Sequence, residues 1–437
     1  MSTFSTTEAS APRPLVESFR RAPWFVLLFV ALWPWPGIAE GVLSLGAVVA
    51  IVMLLRRRFS GGARLMTGEA WAMTTAVFLA YWLPQLVSAW DAVNLQRVVR
   101  EVVADLRYLP FLWLVAMAVA DARGRRITLV GIAIIALVWT IDGLVQALTG
   151  LSLGGVSNPD RLSGIFGQYN LKIGLVLASL SPFVLVMATR RFGVAGWALV
   201  AVGLVVVVVL AGARASWITL ALSLLATGFW AMGVRRAVLA LFAGGVLLFG
   251  SAMLFSDRFE QRIERTTAAL SGDAEGMDFA LSFRLPIWQT AWTMWRDNWA
   301  TGVGVRGFRD AYATYAAEDD HWLQEGWVGA FHAHQIVLEL LSETGLFGLL
   351  CWLVAAAMMF RAWRWASPEA RRAARIPALA LGLTVFPLNT HLAFYSTFWG
   401  GLTLLLAALF VGCLSAAKHG DPDEAVSTPE ARPADGA

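Results

Sequence analysis

The chain has 437 residues, of which 58% are hydrophobic and only 15% charged, and its mean hydropathy is +0.64. A soluble core of this length cannot absorb so much apolar surface, so the composition predicts an all-α polytopic membrane protein. The net charge of +4 is better explained by arginines that flank membrane spans than by binding to nucleic acid. Both cysteines, Cys351 and Cys413, lie in apolar runs, which argues against a disulfide framework, a zinc site or a cysteine nucleophile.

Hydropathy divides the chain into membrane spans. A spanning helix needs about 20 mostly apolar residues, because hydrocarbon cannot satisfy an exposed backbone. The sequence predicts about twelve spans by this criterion, some of them short. They fall near 23–38, 41–55, 71–90, 108–120, 127–148, 170–189, 193–213, 216–234, 237–255, 336–360, 376–395 and 397–416. The first run lacks a small-residue cleavage site, so we expect it to be retained as a span.

The arginine-rich connections set the expected orientation. They are RRRFSGGAR at 56–64, DARGRR at 121–126, the pairs at 190–191 and 235–236, and RAWRWASPEARRAAR at 361–375. All of them fall on one side of the predicted topology, together with both termini. Positive-inside bias makes that side cytoplasmic. The site-bearing loops then lie on the opposite, outer side of the membrane.

The predicted organisation has five parts and one surface helix. The parts are a cytoplasmic tail at 1–22, spans one to nine at 23–255, a helical periplasmic loop at 256–335, spans ten to twelve at 336–416, and a disordered cytoplasmic tail at 417–437. Between spans three and four, DAVNLQRVVREVVADLRY has the apolar spacing of an amphipathic helix lying on the membrane.

Four polar stretches at the outer ends of spans are candidates for the site. In chain order they are NPDRLSGIFGQYNLKIG with Arg161 and Tyr169, LAGARASW with Arg214, LSFRLPIWQTAWTMWRDNWATGVGVRGF with Arg284 and Arg306, and GAFHAHQIVLELLSETGLFG with His332, His334, Gln335 and Glu339. Guanidinium is the side chain best shaped to grip phosphate oxygens in a bidentate manner. The arginines therefore predict an anionic, phosphate-bearing partner at the outer leaflet.

Each feature also has a simpler interpretation. Arg214 could extend to phospholipid headgroups, and Arg161 and Arg284 could be ordinary loop charges. GVGVRG at 302–307 is not a dinucleotide fingerprint, because no βαβ unit surrounds it. The His-x-His pair has no third ligand at a suitable spacing, so we expect no metal and no other cofactor.

The last stretch predicts a loop followed by a helix that starts near Gln335. The helix dipole disfavours a charged imidazolium at His334, so the ring is expected to be neutral and able to accept a proton. Such a histidine beside phosphate-gripping arginines suits general-base work on a hydroxyl. Glu339 and Glu343 belong to a polar stripe that should face other helices, and we favour a structural role for them.

The same residues carry a family resemblance. RLSGIFGQYN, GARASWITLALSLL, SFRLPIWQTAW with TGVGVRGF, and above all HAHQIVLELLSETGLFG resemble motifs of the O-antigen ligase/polymerase superfamily of bacterial envelope enzymes. The family usually has Asn where this chain has Gln335. By the resemblance, His334 matches the essential histidine and His332 a more variable position. Arg214 and Arg284 match two functional arginines, and Arg161 matches a third recurrent one.

The resemblance implies a GT-C-like glycosyltransferase whose active site faces the periplasm. It implies transfer of O-antigen from undecaprenyl pyrophosphate to a sugar hydroxyl of lipid A–core, without a nucleotide sugar or a metal. His334 would be the base and the three arginines would bind the pyrophosphate. His332, Gln335, Glu339, Arg306 and Tyr169 would supply acceptor or supporting contacts. Attack by a hydroxyl implies inversion at the anomeric carbon.

Other activities remain open. Within the superfamily, an O-antigen polymerase or a protein O-oligosaccharyltransferase would carry similar motifs. The outer loop between spans nine and ten, with the histidine at its end, favours the ligase. A transporter of lipids or glycans is the alternative of another class. Transporters, however, usually show repeated halves and charge near the bilayer midplane, whereas here the charge gathers at one face.

Overall fold

The computed structural model describes residues 16–156, 161–239, 244, 276, 278–279, 281–324, 328–387 and 393–416. Thirteen helices of at least eight residues are numbered along these ranges. They are α1 Ala22–Ala31, α2 Pro36–Ser60, α3 Gly68–Val87, α4 Leu95–Asp105, α5 Tyr108–Ala118, α6 Ala122–Thr149, α7 Ile173–Leu210, α8 Arg214–Met232, α9 Leu285–Asp297, α10 Phe308–Tyr315, α11 Ile336–Trp365, α12 Pro368–Thr384 and α13 Thr397–Ala416. A two-stranded antiparallel hairpin pairs β1 Leu151–Ser152 with β2 Gly155–Val156.

The helices confirm an all-α, multi-pass membrane protein. Within the described ranges, seven helices are long and apolar enough to cross a membrane, among them α2, α6, α7, α11 and α13. The expected total of about twelve spans stays a prediction. The ninth predicted span at 237–255, the loop from 256 to 275 and both tails lie largely or wholly outside the described residues.

Helix α7 is a pair of antiparallel helices. It runs over 38 residues without a loop, but Gly193 has φ 64 and ψ −152, which is not a helical conformation. A straight helix of that length would separate its ends by roughly 57 Å. Instead, a Cβ built on Gly174 would lie 2.7 Å from the Cβ of Ala211. The chain therefore reverses at Gly193, in agreement with two predicted runs on either side of it.

Three predicted runs need correction. The first run, expected as one helix near 23–38, contains the shorter helix α1, whose ten residues extend about 15 Å before the chain turns into α2. The cause is the Pro34–Trp35–Pro36 sequence, because a residue before proline avoids helical angles. The fourth run forms α5, with only 11 residues. The eleventh run, expected at 376–395, forms a helix over 368–384, because Ser367 accepts a hydrogen bond from Ala370 N at 3.2 Å and starts it early.

The segment before α1 lies beside the end of α2. Glu17 N donates to Arg64 O at 2.8 Å, and the Glu17 carboxylate pairs with Arg57 at 2.6 Å. The described part of the N-terminal tail is thus on the same side of the protein as the basic connection at 56–64. This arrangement agrees with the expected topology of the first two runs.

Helices α5 and α13 form the centre of the bundle. Residues 397–416 are almost entirely buried, and α13 packs against α3, α5 and α12. The Tyr108 hydroxyl, 1% exposed, donates to Thr397 O at 2.7 Å and joins the starts of the two helices. Helix α4 is amphipathic as expected: Val98 and Val102 are buried in the core, whereas Val99 and Val103 are exposed.

Gly193→Ala should destabilise the protein through backbone strain alone. Nothing lies within 4 Å of a Cβ built there, but its backbone angles are nearly exclusive to glycine. We expect a loss of about 1–3 kcal/mol in the free energy of unfolding. The measurement is the thermal unfolding midpoint of detergent-purified protein. Gly41→Ala, in the open interior of α2, is the matched control and should be neutral or slightly stabilising. Equal midpoints for the two variants would contradict the reversal at Gly193.

Candidate functional site

A second, smaller hydrophobic core lies apart from the main one. Helices α9 and α10, the turn 301–307 and the loop 328–335 surround it, and together they are called the cap below. Its buried members are Ile287, Ala291, Met294, Val303, Phe308, Ala311, Tyr312, Ala330 and Ala333. Ala333 stands between the two histidines, and Ile287 is three residues after Arg284. One core thus supports both the predicted base and one of the predicted anion-binding arginines.

Three arginines from distant parts of the chain converge beside the cap. Arg214 is the first residue of α8, and its Nη2 donates to Ser282 Oγ at 2.6 Å. Arg284 immediately precedes α9. The Arg284 pKa is lowered to about 10, mainly by burial and also by the positive charges of Arg214 and Arg161. The grouping of three arginines creates a concentrated positive potential here.

A strained turn presents Arg284. Ser282 and Phe283 have φ values of 59° and 56°, which are uncommon for residues other than glycine. Phe283 N donates to Asp278 O at 2.8 Å, and Leu285 N donates to the Asp278 carboxylate at 2.9 Å. The turn directs the chain into α9 and places Ser282 against Arg214. Strain of this kind persists only where surrounding contacts enforce it, and it clusters at functional sites.

The histidine loop ends in a capped helix. Gln335 is the N-cap of α11, and its Oε1 accepts a hydrogen bond from Leu338 N at 2.6 Å. His334 immediately precedes this N-cap residue and has φ 54. The sequence predicts that the helix starts near Gln335, one residue later. The His332 and His334 rings lie with centroids 3.8 Å apart, and both are half-buried. The two histidines therefore form one unit at the helix start.

Aromatic contacts tie this loop to the arginine turn. Trp322 Nε1 donates to Phe283 O at 2.6 Å, and the His321 ring stacks on the Phe283 ring with centroids 4.5 Å apart. Gly329 N in turn donates to Trp322 O at 3.0 Å. The segment before the histidines is thus fixed against the residue that precedes Arg284. The cap holds the histidine loop and the arginine turn in one rigid arrangement.

Backbone contacts lock the cap onto the broken helix α11. Gly345 interrupts α11 with φ 66 and ψ −165. Around this break, Val303 N donates to Ser342 O at 2.8 Å and Leu346 N donates to Trp299 O at 2.8 Å. The open carbonyl and amide groups of the break are therefore satisfied by the turn between α9 and α10.

The two backbones approach so closely that only glycine fits. A Cβ on Gly302 would lie 2.4 Å from the carbonyl carbon of Glu343, and one on Gly345 would lie 2.3 Å from the carbonyl carbon of Ala300. Both glycines also have positive φ. Gly302 of TGVGVRGF and Gly345 of SETGLFG therefore belong to one joint between the two segments. The motifs are far apart in the sequence, so the sequence alone does not show this contact.

Two buried carboxylates complete the joint. Glu343 Oε2 accepts a hydrogen bond from Arg306 N at 2.8 Å, and Glu339 Oε1 accepts one from Tyr395 N at 3.3 Å. Glu339 is 0% exposed and Glu343 1%. These contacts agree with the structural role favoured from the sequence, in which the carboxylates tie α11 to its neighbours. Glu339 thus contacts protein backbone through one oxygen, and its part in acceptor or supporting contacts stays a prediction.

The other predicted contacts are spread around the site. Arg306 is half-buried in the turn with φ 59, whereas Tyr169 is 93% exposed in the Arg161 loop. Near it, Lys172 Nζ lies 4.3 Å from the centroid of the Phe398 ring. Among the described residues, no three His, Cys, Asp or Glu side chains are grouped to hold a metal ion. The substrate contacts of His332 and Tyr169 remain predictions.

Sequence reasoning missed three residues that shape the site. Ser282 contacts Arg214, and Asp142 and Gln146 contact the loop that carries Arg161. Ser282 belongs to the SFRLPIW motif, but its contact with Arg214 depends on the turn at 282–283, which the local sequence pattern does not predict. Asp142 and Gln146 had a visible signal, because two polar residues at i and i+4 within an apolar span are costly unless they have partners.

The comparison with known families agrees with this arrangement. Residues 199–353 match a family described as O-antigen ligase. The matched segment contains Arg214, Arg284, the histidine loop and the broken helix, whereas Arg161 lies before it. This match over about a third of the chain supports the resemblance of this all-α, multi-pass membrane protein to the O-antigen ligase superfamily. A search of the curated proteins found no match.

Glu343→Ala should loosen the joint between the cap and α11. It removes the acceptor for a backbone N–H in a buried turn, and an unsatisfied group of this kind costs about 1–3 kcal/mol. The readout is thermal unfolding together with limited proteolysis of the cap. Glu343→Gln keeps an oxygen acceptor of similar shape and is the matched control, so it should lose much less stability. If both variants unfold like the unsubstituted protein, the carboxylate does not hold the turn.

Proposed function

We propose that this protein is an O-antigen ligase. It would transfer O-antigen polysaccharide from undecaprenyl pyrophosphate to a sugar hydroxyl of lipid A–core and so form lipopolysaccharide. The main support is the convergence of three guanidinium groups beside the loop that carries His332 and His334. A cluster of positive charge is suited to a dianionic leaving group.

The arginines would act on the pyrophosphate. As the glycosidic bond breaks, negative charge accumulates on the departing phosphate oxygen. Preorganised guanidinium groups stabilise that charge without reorganisation, and they also orient the donor. The Ser282 contact fixes the orientation of Arg214, which favours a defined clamp over a mobile surface charge. Arginine can supply this electrostatic work itself, so we expect activity to survive a chelator.

His334 would act on the acceptor. Its imidazole takes the proton of the acceptor hydroxyl while the oxygen attacks the anomeric carbon. One C–O bond forms, the bond to the pyrophosphate breaks, and polyprenyl pyrophosphate leaves with the electron pair. A single displacement predicts inversion at the anomeric carbon. The fixed loop before Gln335 supports this role, because it gives the imidazole a defined position.

The proposed setting is the periplasmic face of a bacterial inner membrane. We infer about twelve spans with both termini in the cytoplasm, on the basis of span length and the distribution of arginines. The contact between Glu17 and Arg57 supports this topology at the N-terminal end. The arginine cluster and histidine loop would then meet lipid-linked substrates in the outer leaflet.

The lipopolysaccharide pattern of a deletion strain tests the proposed activity. A ligase predicts loss of the O-antigen ladder while polymer accumulates on its lipid carrier. A core that carries only single repeat units would instead indicate a polymerase. An unchanged ladder accompanied by loss of a glycan from proteins would indicate a protein O-oligosaccharyltransferase. Complementation by the intact gene restores the pattern in each case.

Arg214→Lys and Arg284→Lys should both impair ligation. Lysine keeps the charge but loses the planar fork that binds two phosphate oxygens at once. We expect losses on the order of 10-fold or more in kcat/KM, as for a charge-assisted contact. The assay is ligation in membranes with equal protein levels. Arg296→Lys is the control, since its side chain is 67% exposed and pairs with neighbouring Asp297. Full activity of both site variants would leave only a charge requirement.

His334→Ala should abolish detectable ligation while insertion in the membrane and donor binding persist. Loss of a general base typically costs about 10²–10⁴ in rate. His332→Ala is the paired variant and should retain measurable activity. Activity of the unsubstituted enzyme should also fall in acid, since imidazolium cannot accept the proton. The experiment compares both variants at equal expression over a pH series. The reverse pattern would assign the base to His332, and two active variants would remove histidine from the mechanism.

A further inference from the structure

The loop that carries Arg161 is held by two buried side chains of α6. Gln146 is 2% exposed and Asp142 is 7% exposed, one helical turn apart near the end of a candidate membrane span. Polar groups inside a span are expensive, and they are retained where they have a specific task. Their contacts identify that task.

Gln146 uses its full hydrogen-bonding capacity on this loop. Its Oε1 accepts from Ser163 N at 3.0 Å and from Gly164 N at 2.7 Å. Its Nε2 donates to Ser152 Oγ at 3.2 Å and reaches Ser163 Oγ at 3.5 Å. A primary amide offers two acceptor sites and two donors, and here all four are directed at one loop.

The described part of the loop has two limbs, the segment with Ser163 and Gly164 and the β1–β2 hairpin. Asp142 holds the hairpin. Its Oδ1 accepts a hydrogen bond from Leu153 N at 2.8 Å, in the tight turn between the two strands of the hairpin. Ser152 Oγ joins the limbs by donating to Gly164 O at 3.0 Å. The limbs are pressed so closely that a Cβ on Gly154 would lie 2.4 Å from Gly164 O. The two described limbs of the loop are thus joined to each other and anchored on α6.

The anchored segment is adjacent to Arg161. Ser163 and Gly164 follow it by two and three residues. Leu162 N donates to Leu210 O at 3.1 Å, which joins this segment to the end of α7, just before the turn that presents Arg214. Arg161 itself is exposed, and this anchored backbone carries its guanidinium. A shift of that backbone would move its guanidinium relative to Arg284.

We propose that Gln146, assisted by Asp142, is a positioning residue that fixes Arg161 in the anion-binding site. The inference rests on the proposed function, because it assigns Arg161 to the pyrophosphate of a lipid-linked donor. Gln146 does not touch the donor. It lowers the cost of binding because Arg161 is already in place when the pyrophosphate arrives.

The test compares Gln146→Leu, Arg161→Ala and the double variant. The readouts are kcat and KM for the lipid-linked donor in ligation, and the Kd for farnesyl pyrophosphate as a short probe. Gln146→Leu should raise the donor KM and the probe Kd on the order of 10-fold and change kcat little. The double variant should match Arg161→Ala alone, because the two residues act as one unit.

Controls separate positioning from general damage. Thr140→Val removes another buried polar group from α6, but Thr140 Oγ1 bonds only to Ala136 O of the same helix, so donor KM should not change. Gln146→Asn keeps a buried amide that is too short to reach both N–H groups. It provides a folded variant with an intermediate KM if Gln146→Leu does not accumulate.

The outcomes distinguish the inference from the proposed function. Unchanged KM and Kd in folded Gln146 variants would overturn the positioning role. So would effects of Gln146→Leu and Arg161→Ala that multiply in the double variant. If the unsubstituted protein binds the probe but ligates no glycan, the proposed function fails. A matched loss of probe binding in Gln146→Leu and Arg161→Ala would then still support the positioning role.

Discussion

The joint between Gly302 and Gly345 is the constraint on which the site depends. At this point, backbone groups of the segment between α9 and α10 form hydrogen bonds with the carbonyl and amide groups that lose their helical partners at the break in α11. Neither glycine has room for a Cβ. The joint connects the hydrophobic core of the cap to the membrane bundle and so fixes the position of the cap on the bundle. Together with the hydrogen bond from Arg214 to Ser282, the joint holds the arginine turn and the histidine loop against the membrane bundle.

Electrostatics explains why such rigidity is needed. Three guanidinium groups of like charge repel one another, so a relaxed chain would let them separate. Each arginine is restrained by a different structural feature. Arg284 follows a turn with positive φ, Arg214 bonds to Ser282, and the Arg161 loop is anchored on α6. Under the proposed function, a bound pyrophosphate would offset this repulsion, so preorganised arginines would favour its binding.

The sequence predicts the fold and the site to different depths. Apolar runs and arginine spacing are local signals, so the membrane class, most helices and the amphipathic α4 follow from them. The reversal near Gly193 follows as well, because the arginine pair at 190–191 separates two apolar runs. The short α1 depends on Pro34 and Pro36, whose effect is lost when hydropathy is averaged over a window. At the site, residue types and motifs single out the arginines and His334 as candidates, and their roles stay predictions. The joint and the Gln146 anchor are contacts between segments distant in sequence, and one sequence cannot reveal their pairing.

The measurement that tests the account most directly is glycan transfer by the purified protein. The reaction contains polyprenyl-pyrophosphate-linked glycan, lipid A–core and chelator, without nucleotide or ion gradient. The account predicts that glycan appears on the acceptor with inverted anomeric configuration, that polyprenyl pyrophosphate is released, and that His334→Ala prevents both. Glycan that stays on its carrier, or a carrier that crosses a vesicle membrane intact, would contradict it and favour transport.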